Sequence, residues 1–284
     1  RLNPQQEAAV RQVDGPVLLL AVPGSGKTTV LVTRLGYMIY CKNIRPENIL
    51  TVTYTVAATR DMKARFIRFF EEEHADKLTF RTINGLCAVA IRYYAGKKGA
   101  QPFALADDEA RLNAVVRELL SKGGGGYPSD QQVKEARTHI TFCKNMMLSD
   151  AEVEAQRVDG MDFPAVYKGY QAFLLKNHLM DFDDQMVFTY RIFRQYPDIL
   201  AHFQHRWPFL CVDEAQDTSK IQHAILRLLA SKSRNIFMVG DEDQSIYGFR
   251  AAWPQALLEF ENTYPGAKVL MMETNYRSTK SIVE

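Results

Sequence analysis

Apolar and polar positions along the chain follow two different periods. Short apolar runs of strand length lie at residues 17–21, 49–54, 78–82, 209–212, 236–240 and 268–272. Between them, apolar positions recur at helical spacing over residues 5–13, 27–40, 57–70, 84–94, 221–230 and 257–264. Because strands that alternate with helices form parallel sheets, this pattern predicts an α/β fold.

The middle of the chain has only the helical period. Residues 107–121, 130–147, 150–156 and 163–179 carry helical patterns, and four glycines at 123–126 form a flexible break. Strand signals return only near residue 209. We interpret this as an all-helical insertion within the α/β domain. The predicted division is 1–90 for the first part of that domain, 91–180 for the insertion and 181–284 for the second part.

A glycine-rich turn follows the first strand and precedes a helix. Glycine accepts positive φ and close backbone approach, so such a turn can aim several N–H groups at one phosphate, which the helix N-terminus also favours. Lys27 would reach the β- and γ-phosphates, and the Thr28 hydroxyl would hold Mg²⁺. Ala21 stands where the motif has its first glycine. The alternative, a turn before an ordinary helix, is disfavoured by the strand–turn–helix context. The predicted nucleotide contacts here are Pro23, Gly24, Ser25, Gly26, Lys27, Thr28 and Thr29.

Two later strands end in acidic residues. Asp213 and Glu214 follow one. We assign Asp213 to Mg²⁺, and Glu214 either to the base that activates water or to the group that positions it. Gln244, after the other, would contact the γ-phosphate and the water, and Arg277 would supply a positive charge. Each acid alone could simply cap a strand. We expect the glycine turn and the acidic pair to end on neighbouring strands and to hold one magnesium triphosphate.

Other strand ends carry polar and aromatic residues suited to nucleic acid. They are Thr53, Tyr54 and Thr55 after the second strand and Asn84 after the third. Taken singly, these residues are better explained by a solvated basic helix beside a buried tyrosine. The net charge is only +2, so any nucleic-acid surface has to be local and to use base stacking as well as phosphate contacts.

Composition restricts the class of protein. Apolar residues make up 46% and charged residues 24%, as in soluble globular proteins, and no apolar run approaches the ~20 residues that cross a bilayer. The four cysteines form no Cys-x-x-Cys pair, which predicts reduced, buried thiols. We therefore expect a cytoplasmic protein without membrane contact. Because the chain starts at Arg1 without Met and stops at Glu284, we expect an excised fragment.

The ordered motifs resemble those of the UvrD/Rep-like superfamily 1 DNA helicases. They span nearly the whole chain, and the ordered set is more specific than any single motif. The segments that carry the resemblance are Leu2-Asn3-Pro4-Gln5-Gln6, residues 21–28, Thr53-Tyr54-Thr55, Thr82-Ile83-Asn84-Gly85, Asp181-Phe182-Asp183-Asp184, residues 212–217, residues 239–241 with 244–250, and Asn275-Tyr276-Arg277-Ser278.

The resemblance implies a RecA-like P-loop NTPase domain interrupted by a helical subdomain. It implies ATP and Mg²⁺ as ligands, movement 3′ to 5′ along single-stranded DNA, and contacts with junctions of single- and double-stranded DNA. Gln6 is similar to the adenine-reading glutamine, and Arg34 and Tyr276 to the residues that sandwich the base. Arg250 is similar to the arginine that links the nucleotide and DNA sites. Tyr54, Tyr247 and Phe249 resemble aromatics that stack on bases.

The chain also departs from the family. Val56 to Thr59 replace a usual Asn-Lys-Ala-Ala, Asn84 replaces a frequent His, and Phe249 a frequent Trp. A second RecA-like domain of the full-length protein, with its arginine finger, lies outside this sequence, so we expect the fragment alone to be nearly inactive. Three alternatives remain: the motor of an AddA- or RecB-type helicase-nuclease, a non-catalytic nucleotide-dependent scaffold, and a P-loop kinase.

Overall fold

A parallel β-sheet forms the centre of the molecule. The computed structural model describes residues 2–123, 126–241, 252–253 and 255–275. Within them, six strands form one sheet: β1 (Val17–Ala21), β2 (Ile49–Thr53), β3 (Thr79–Thr82), β6 (Phe209–Val212), β7 (Asn235–Asp241) and β8 (Lys268–Met272). Their order across the sheet is β3-β2-β6-β7-β1-β8, and every neighbouring pair is parallel. The predicted α/β class with a parallel sheet is therefore confirmed.

The strand order corrects one prediction. The strand before the glycine turn, β1, and the strand before the acidic pair, β6, are not neighbours, because β7 lies between them. Two strand spacings, roughly 10 Å, separate β1 from β6. Side chains from both strand ends therefore have to meet across the end of β7, which is Asp241.

Helices connect the strands and begin at side chains that cap them. Asn3 and Gln6 form a capping box at α1, while Thr55, Thr82 and Asp181 accept backbone N–H bonds at the starts of α3, α5 and α10. The helices are α1 (Pro4–Arg11), α2 (Lys27–Tyr40), α3 (Val56–Phe69), α4 (Glu72–Lys77), α5 (Ile83–Lys98), α6 (Glu109–Ser121), α7 (Asp130–Asn145), α8 (Asp150–Glu154), α9 (Phe163–Lys176), α10 (Phe182–Gln195), α11 (Pro197–Arg206), α12 (Lys220–Ala230), α13 (Gln255–Leu258) and α14 (Phe260–Thr263).

Both faces of the sheet are buried. Successive strand residues point to opposite faces, so Leu18 of β1 joins one hydrophobic cluster while Val17 and Leu19 join the other. The first cluster packs against α5 and α10–α12 and includes Trp207, and the second packs against α1–α3 and includes Phe66. Burial on both faces explains why the strands are continuous apolar runs.

The predicted helical region has a hydrophobic core of its own. Its buried members lie between residues 106 and 174, on α6 to α9 and the adjoining loops. A small parallel ladder of β4 (Ala104–Leu105) and β5 (Leu179–Met180) joins the start of this region to its end. These short strands were not predicted, because two-residue strands leave too little pattern to recognise.

Buried charges join the helical region to the sheet. Lys144 of α7 lies 2.7 Å from Asp181 Oδ2 and 2.9 Å from Asp184 Oδ1, and its side chain is 1% exposed. The Tyr170 hydroxyl of α9 donates to the same Asp181 oxygen at 3.0 Å. Asn145 donates to Asp183 Oδ1 at 2.8 Å. This network fixes α7 and α9 against the first turn of α10.

The cysteines match the predicted reduced, buried thiols only in part. All four cysteines are free thiols, but only Cys87, Cys143 and Cys211 are buried. Cys41 is exposed, so the prediction of buried thiols is wrong for it.

Among the described residues, every helix is too short or too polar to traverse a lipid bilayer.

Replacing Lys144 should destabilise the protein strongly. Lys144→Met leaves the carboxylates of Asp181 and Asp184 buried without their cation, which typically lowers the free energy of unfolding by ~3–5 kcal/mol. Urea unfolding followed by circular dichroism measures this change. Lys168→Met is the matched control, because it removes an exposed ion pair with Glu154 and should change stability by less than ~1 kcal/mol. Equal effects of the two substitutions would contradict a stabilising role of the Lys144 network.

Candidate active site

The turn after β1 has the backbone shape expected of a phosphate-binding loop. Gly24 and Gly26 have φ values of 79° and 89°, in the left-handed region that favours glycine. A Cβ on Gly26 would also lie 3.0 Å from the side-chain nitrogen of Gln6. Gln6 Nε2 donates to the Ser25 carbonyl at 3.0 Å. The loop is thus fixed from behind by α1, and α2 begins directly after it at Lys27.

Lys27 meets the predicted acidic pair across the end of β7. Its Nζ donates to Glu214 Oε2 at 3.1 Å and lies 3.8 Å from Asp241 Oδ2. The Lys27 side chain is mostly buried, with 16% of its surface exposed. The ends of β1, β6 and β7 therefore bring the Lys27 ammonium group close to two carboxylates. This is the meeting of side chains across the end of β7 that the strand order requires.

The acidic pair itself has an unusual backbone and a perturbed carboxylate. Glu214 has φ 50° and ψ 47°, which is uncommon for a residue other than glycine. Its N–H donates to Asp213 Oδ1 at 3.0 Å. Burial and, secondly, the Glu214 carboxylate raise the pKa of Asp213 to about 6. Burial followed by Glu214 also raises the pKa of Asp217. Negative charge is therefore concentrated at this strand end.

A cavity of about 660 Å³ opens between the loop and the acidic pair. Its walls come from the glycine turn, the start of α3 and the ends of β6 and β7. Of the other predicted contacts, Gln6 lies behind the loop and Ser25 lies within it; both are buried, and neither lines the cavity. The predicted nucleotide-site residues that line the cavity are Pro23, Gly24, Gly26, Lys27, Thr28, Thr29, Asp213 and Glu214.

The donor set in this cavity fits a magnesium-bound polyphosphate. Mg²⁺ prefers oxygen ligands and usually takes one or two carboxylates together with water and phosphate oxygens. The Asp213 carboxylate and the Thr28 hydroxyl are such ligands, and both line the cavity. In the described part of the chain, the buried Ser25 hydroxyl has no hydrogen-bond partner, and no group of three or more His, Cys, Asp or Glu side chains is arranged as a metal cluster. A site that shares its metal with phosphate needs no such cluster.

A second cavity, of about 370 Å³, contains several of the predicted DNA contacts. Thr53, Tyr54 and Asn84 line it together with Thr141 and Asp183. The Asn84 amide also donates to the Phe182 carbonyl at 2.6 Å, which ties α5 to α10. Helix α7 of the predicted insertion and the start of α10 therefore line one side of this cavity, and strand ends of the sheet line the other.

Tyr54 lies between the two cavities. Its ring is 50% exposed, and Tyr54, Asp213 and Asp217 each line both cavities. Thr55, predicted as a DNA contact, lines the larger cavity instead and caps α3 by accepting the Ala58 N–H at 3.0 Å. Ligands bound in the two cavities would therefore contact some of the same side chains.

Arg34 requires a correction. Its guanidinium donates to the carbonyls of Ala9, Gln12 and Val13 and lies 4.0 Å from the centre of the Phe237 ring. Burial lowers its pKa, and the residue is only 2% exposed. Arg34 is about two helical turns from the start of α2. In this structure it joins α1 to the sheet and does not line the cavity beside the phosphate-binding loop.

Six predicted residues lie outside the part of the chain that the structure describes. They are Gln244, Tyr247, Phe249, Arg250, Tyr276 and Arg277.

Three polar residues of the site were not assigned a role from the sequence. Asp241 approaches Lys27, and Asp217 lines both cavities. The buried Gln216 contacts Glu214 Oε2 at 2.6 Å. The acidic end of β7 and the 212–217 motif were the available signals, but neither shows which side chain points inward.

Comparison with known proteins agrees with this geometry. The family described as UvrD/REP helicase N-terminal domain matches residues 2–265. A protein named ATP-dependent DNA helicase PcrA from Staphylococcus epidermidis is 37% identical over 287 residues, covering 99% of this chain. The protein of the same name from Staphylococcus aureus is 36% identical over the same share. The chain spans 39% of the length of each of these curated relatives.

Proposed function

The chain belongs to the UvrD/REP helicase N-terminal domain family, and on this premise we propose that it is part of an ATP-hydrolysing DNA helicase. The single observation that carries the proposal is the contact of Lys27 with Glu214 at 3.1 Å, at the rim of a cavity bounded by a phosphate-binding loop. The names of its relatives, which describe ATP-dependent DNA helicases, support the same reading.

In the proposed mechanism, Lys27 exchanges its contact with Glu214 for oxygens of the β- and γ-phosphates. The N–H groups around Gly24 to Thr28 bind the phosphates, since they lie at a helix N-terminus. Glu214 then accepts a proton from the attacking water. Gln244 and Arg277 are proposed to position that water and to stabilise the transferred charge, and Gln6 and Tyr276 to contact the adenine.

Mg²⁺ is proposed to be held by Thr28 and Asp213. When bound, it would neutralise charge on the phosphate oxygens. Its presence would also favour the ionised form of Asp213, whose pKa is raised to about 6 chiefly by burial.

The proposed nucleic-acid site is the smaller cavity and its rim. Single-stranded DNA would stack on Tyr54, with Thr53, Asn84, Tyr247 and Phe249 as further contacts. Movement 3′ to 5′, action at junctions of single- and double-stranded DNA, and the linking role of Arg250 remain parts of the proposal. They rest on the resemblance of the motifs.

The domain division 1–90, 91–180 and 181–284 also remains a proposal. It is supported by the separate hydrophobic core between residues 106 and 174. We further propose that a second RecA-like domain completes the motor in the full-length protein, and that the protein is cytoplasmic, which suits its free thiols.

Two alternative functions predict different experimental results. A helicase-nuclease would degrade DNA as well as unwind it, so a nuclease assay on the full-length protein separates the two. A non-catalytic scaffold would bind nucleotide without turnover. The pairing of Lys27 with Glu214 favours an enzyme, because a scaffold has no need of a base beside the phosphate loop.

Replacing the proposed base should separate binding from turnover. In the full-length protein, Glu214→Gln is expected to retain ATP binding and to lower kcat by ~10²–10⁴, the usual contribution of a general base. Steady-state ATPase assays and binding of a fluorescent ATP analogue measure both quantities. Glu154→Gln, at an exposed surface pair, should behave as wild type. Unchanged kcat in Glu214→Gln would exclude Glu214 as the base.

The 284-residue chain alone should turn over ATP hardly at all. An arginine supplied by another domain can contribute ~10³–10⁵ to the rate of phosphoryl transfer. We expect weak nucleotide binding and a DNA-stimulated ATPase rate at least ~10³ below that of the full-length protein. Equal rates for the two proteins would show that this chain contains every group needed for hydrolysis.

Removing the Tyr54 ring should weaken binding of single-stranded DNA. Stacking on an aromatic side chain is worth ~1–3 kcal/mol per base, so Tyr54→Ala should raise Kd about 5- to 150-fold. Fluorescence anisotropy with a labelled oligonucleotide measures this. Phe69→Ala is the matched control, because Phe69 is similarly exposed (55% against 50%) but lies away from both cavities. The same Kd for both variants would mean that Tyr54 makes no stacking contact.

A further inference from the structure

Gln216 contacts the proposed catalytic carboxylate from within the protein. It lies in the 3-10 turn Ala215–Asp217 that directly follows Glu214, and it is 3% exposed. Its Nε2 donates to Glu214 Oε2 at 2.6 Å. The same oxygen accepts the Lys27 bond at 3.1 Å. Two donors from different elements therefore hold one carboxylate oxygen of Glu214.

The other end of the Gln216 amide binds the neighbouring strand. Its Oε1 accepts the backbone N–H of Asp241, the last residue of β7, at 3.0 Å. An amide is suited to this place because it donates and accepts at once. Gln216 thus connects Glu214 to the end of β7.

Glu214 needs such support more than an ordinary residue does. Its backbone is in the left-handed region, and non-glycine residues remain there only where neighbouring groups hold them. Lys27 is one such group in this structure. In the proposed mechanism, however, Lys27 moves to the phosphates. Among the residues that the structure describes, the Gln216 bond is then the side-chain hydrogen bond that still holds the Glu214 carboxylate.

We propose that Gln216 is a positioning residue for hydrolysis, which holds Glu214 in the orientation from which it accepts the proton of water. This inference rests on the proposed function. Gln216 touches neither substrate nor metal in it and acts only through Glu214. A purely structural role would instead predict that replacing Gln216 lowers stability and nucleotide affinity along with turnover.

The test compares kcat, KM and nucleotide affinity in the full-length protein. Gln216→Met keeps the side-chain length but removes the donor and the acceptor. We expect kcat for ATP to fall about 10- to 100-fold, because a small displacement of a catalytic group has effects of this size. KM for ATP and Kd for a non-hydrolysable ATP analogue should stay within about threefold, because Gln216 makes no phosphate contact in the proposal.

A second measurement does not depend on activity. The Asp241 amide hydrogen should exchange with solvent at least about tenfold faster in Gln216→Met, since its acceptor is removed. Gln204→Met is the matched control. Gln204 is a partly buried glutamine that donates to the Leu228 carbonyl at 2.9 Å and to the Ser231 hydroxyl at 3.0 Å, on the far end of α12. It should leave kcat and the exchange of Asp241 unchanged.

The outcomes separate this inference from the proposed function. If the wild-type protein does not hydrolyse ATP, the proposed function fails. If the wild type is active, Glu214→Gln is inactive and Gln216→Met retains kcat within twofold, only the role of Gln216 is overturned. Loss of nucleotide affinity in parallel with kcat also overturns it. Should Gln216→Met fail to fold, Gln216→Asn serves instead, because the shorter amide cannot span both partners; wild-type kcat in that variant contradicts the inference.

Discussion

The structure depends on how charges are balanced where parallel strands end. Asp213, Glu214 and Asp241 lie at the carboxyl ends of β6 and β7. Bringing these carboxylates together is unfavourable: burial and, secondly, the Glu214 carboxylate raise the pKa of Asp213 to about 6. Lys27 enters from the phosphate loop and contacts two of the carboxylates. The glycine turn serves this contact, because its positive φ values direct the start of α2 toward the end of β7.

The same edge of the sheet connects the two cavities. Tyr54, Asp213 and Asp217 belong to both, so nucleotide and nucleic acid would be bound on either side of a single layer of side chains. The wall of the smaller cavity opposite the sheet is held in place by the buried contacts of Lys144 and Asn145 with α10. Residues 218 and 219 also bind Trp253 and Ala252, so the turn after Glu214 is joined to the segment beyond residue 251.

Much of the fold could be predicted from the sequence, because its patterns are local. Buried parallel strands appear as apolar runs such as residues 17–21, and helix starts carry capping residues such as Asn3 and Thr55. The order of the strands could not, since parallel strands are joined by crossovers and the pattern does not show that β7 inserts between β1 and β6. Helices α10 and α11 were not predicted, although apolar residues recur at helical spacing in both.

Residues of the candidate site could be predicted from the sequence where their motif has one characteristic chemical role. The loop residues and the pair of Asp213 and Glu214 line one cavity. Arg34 was assigned from the family resemblance alone, whereas its guanidinium binds three carbonyls inside the protein. Gln216 was overlooked because the direction of a side chain in a 3-10 turn depends on tertiary contacts.

The most direct measurement of the central claim is a structure of the full-length protein with Mg²⁺ and a non-hydrolysable ATP analogue. We predict phosphate oxygens of the analogue within hydrogen-bond distance of Lys27 Nζ, and the metal next to Asp213 and Thr28. A triphosphate bound elsewhere, with Lys27 still paired to Glu214, would contradict the account.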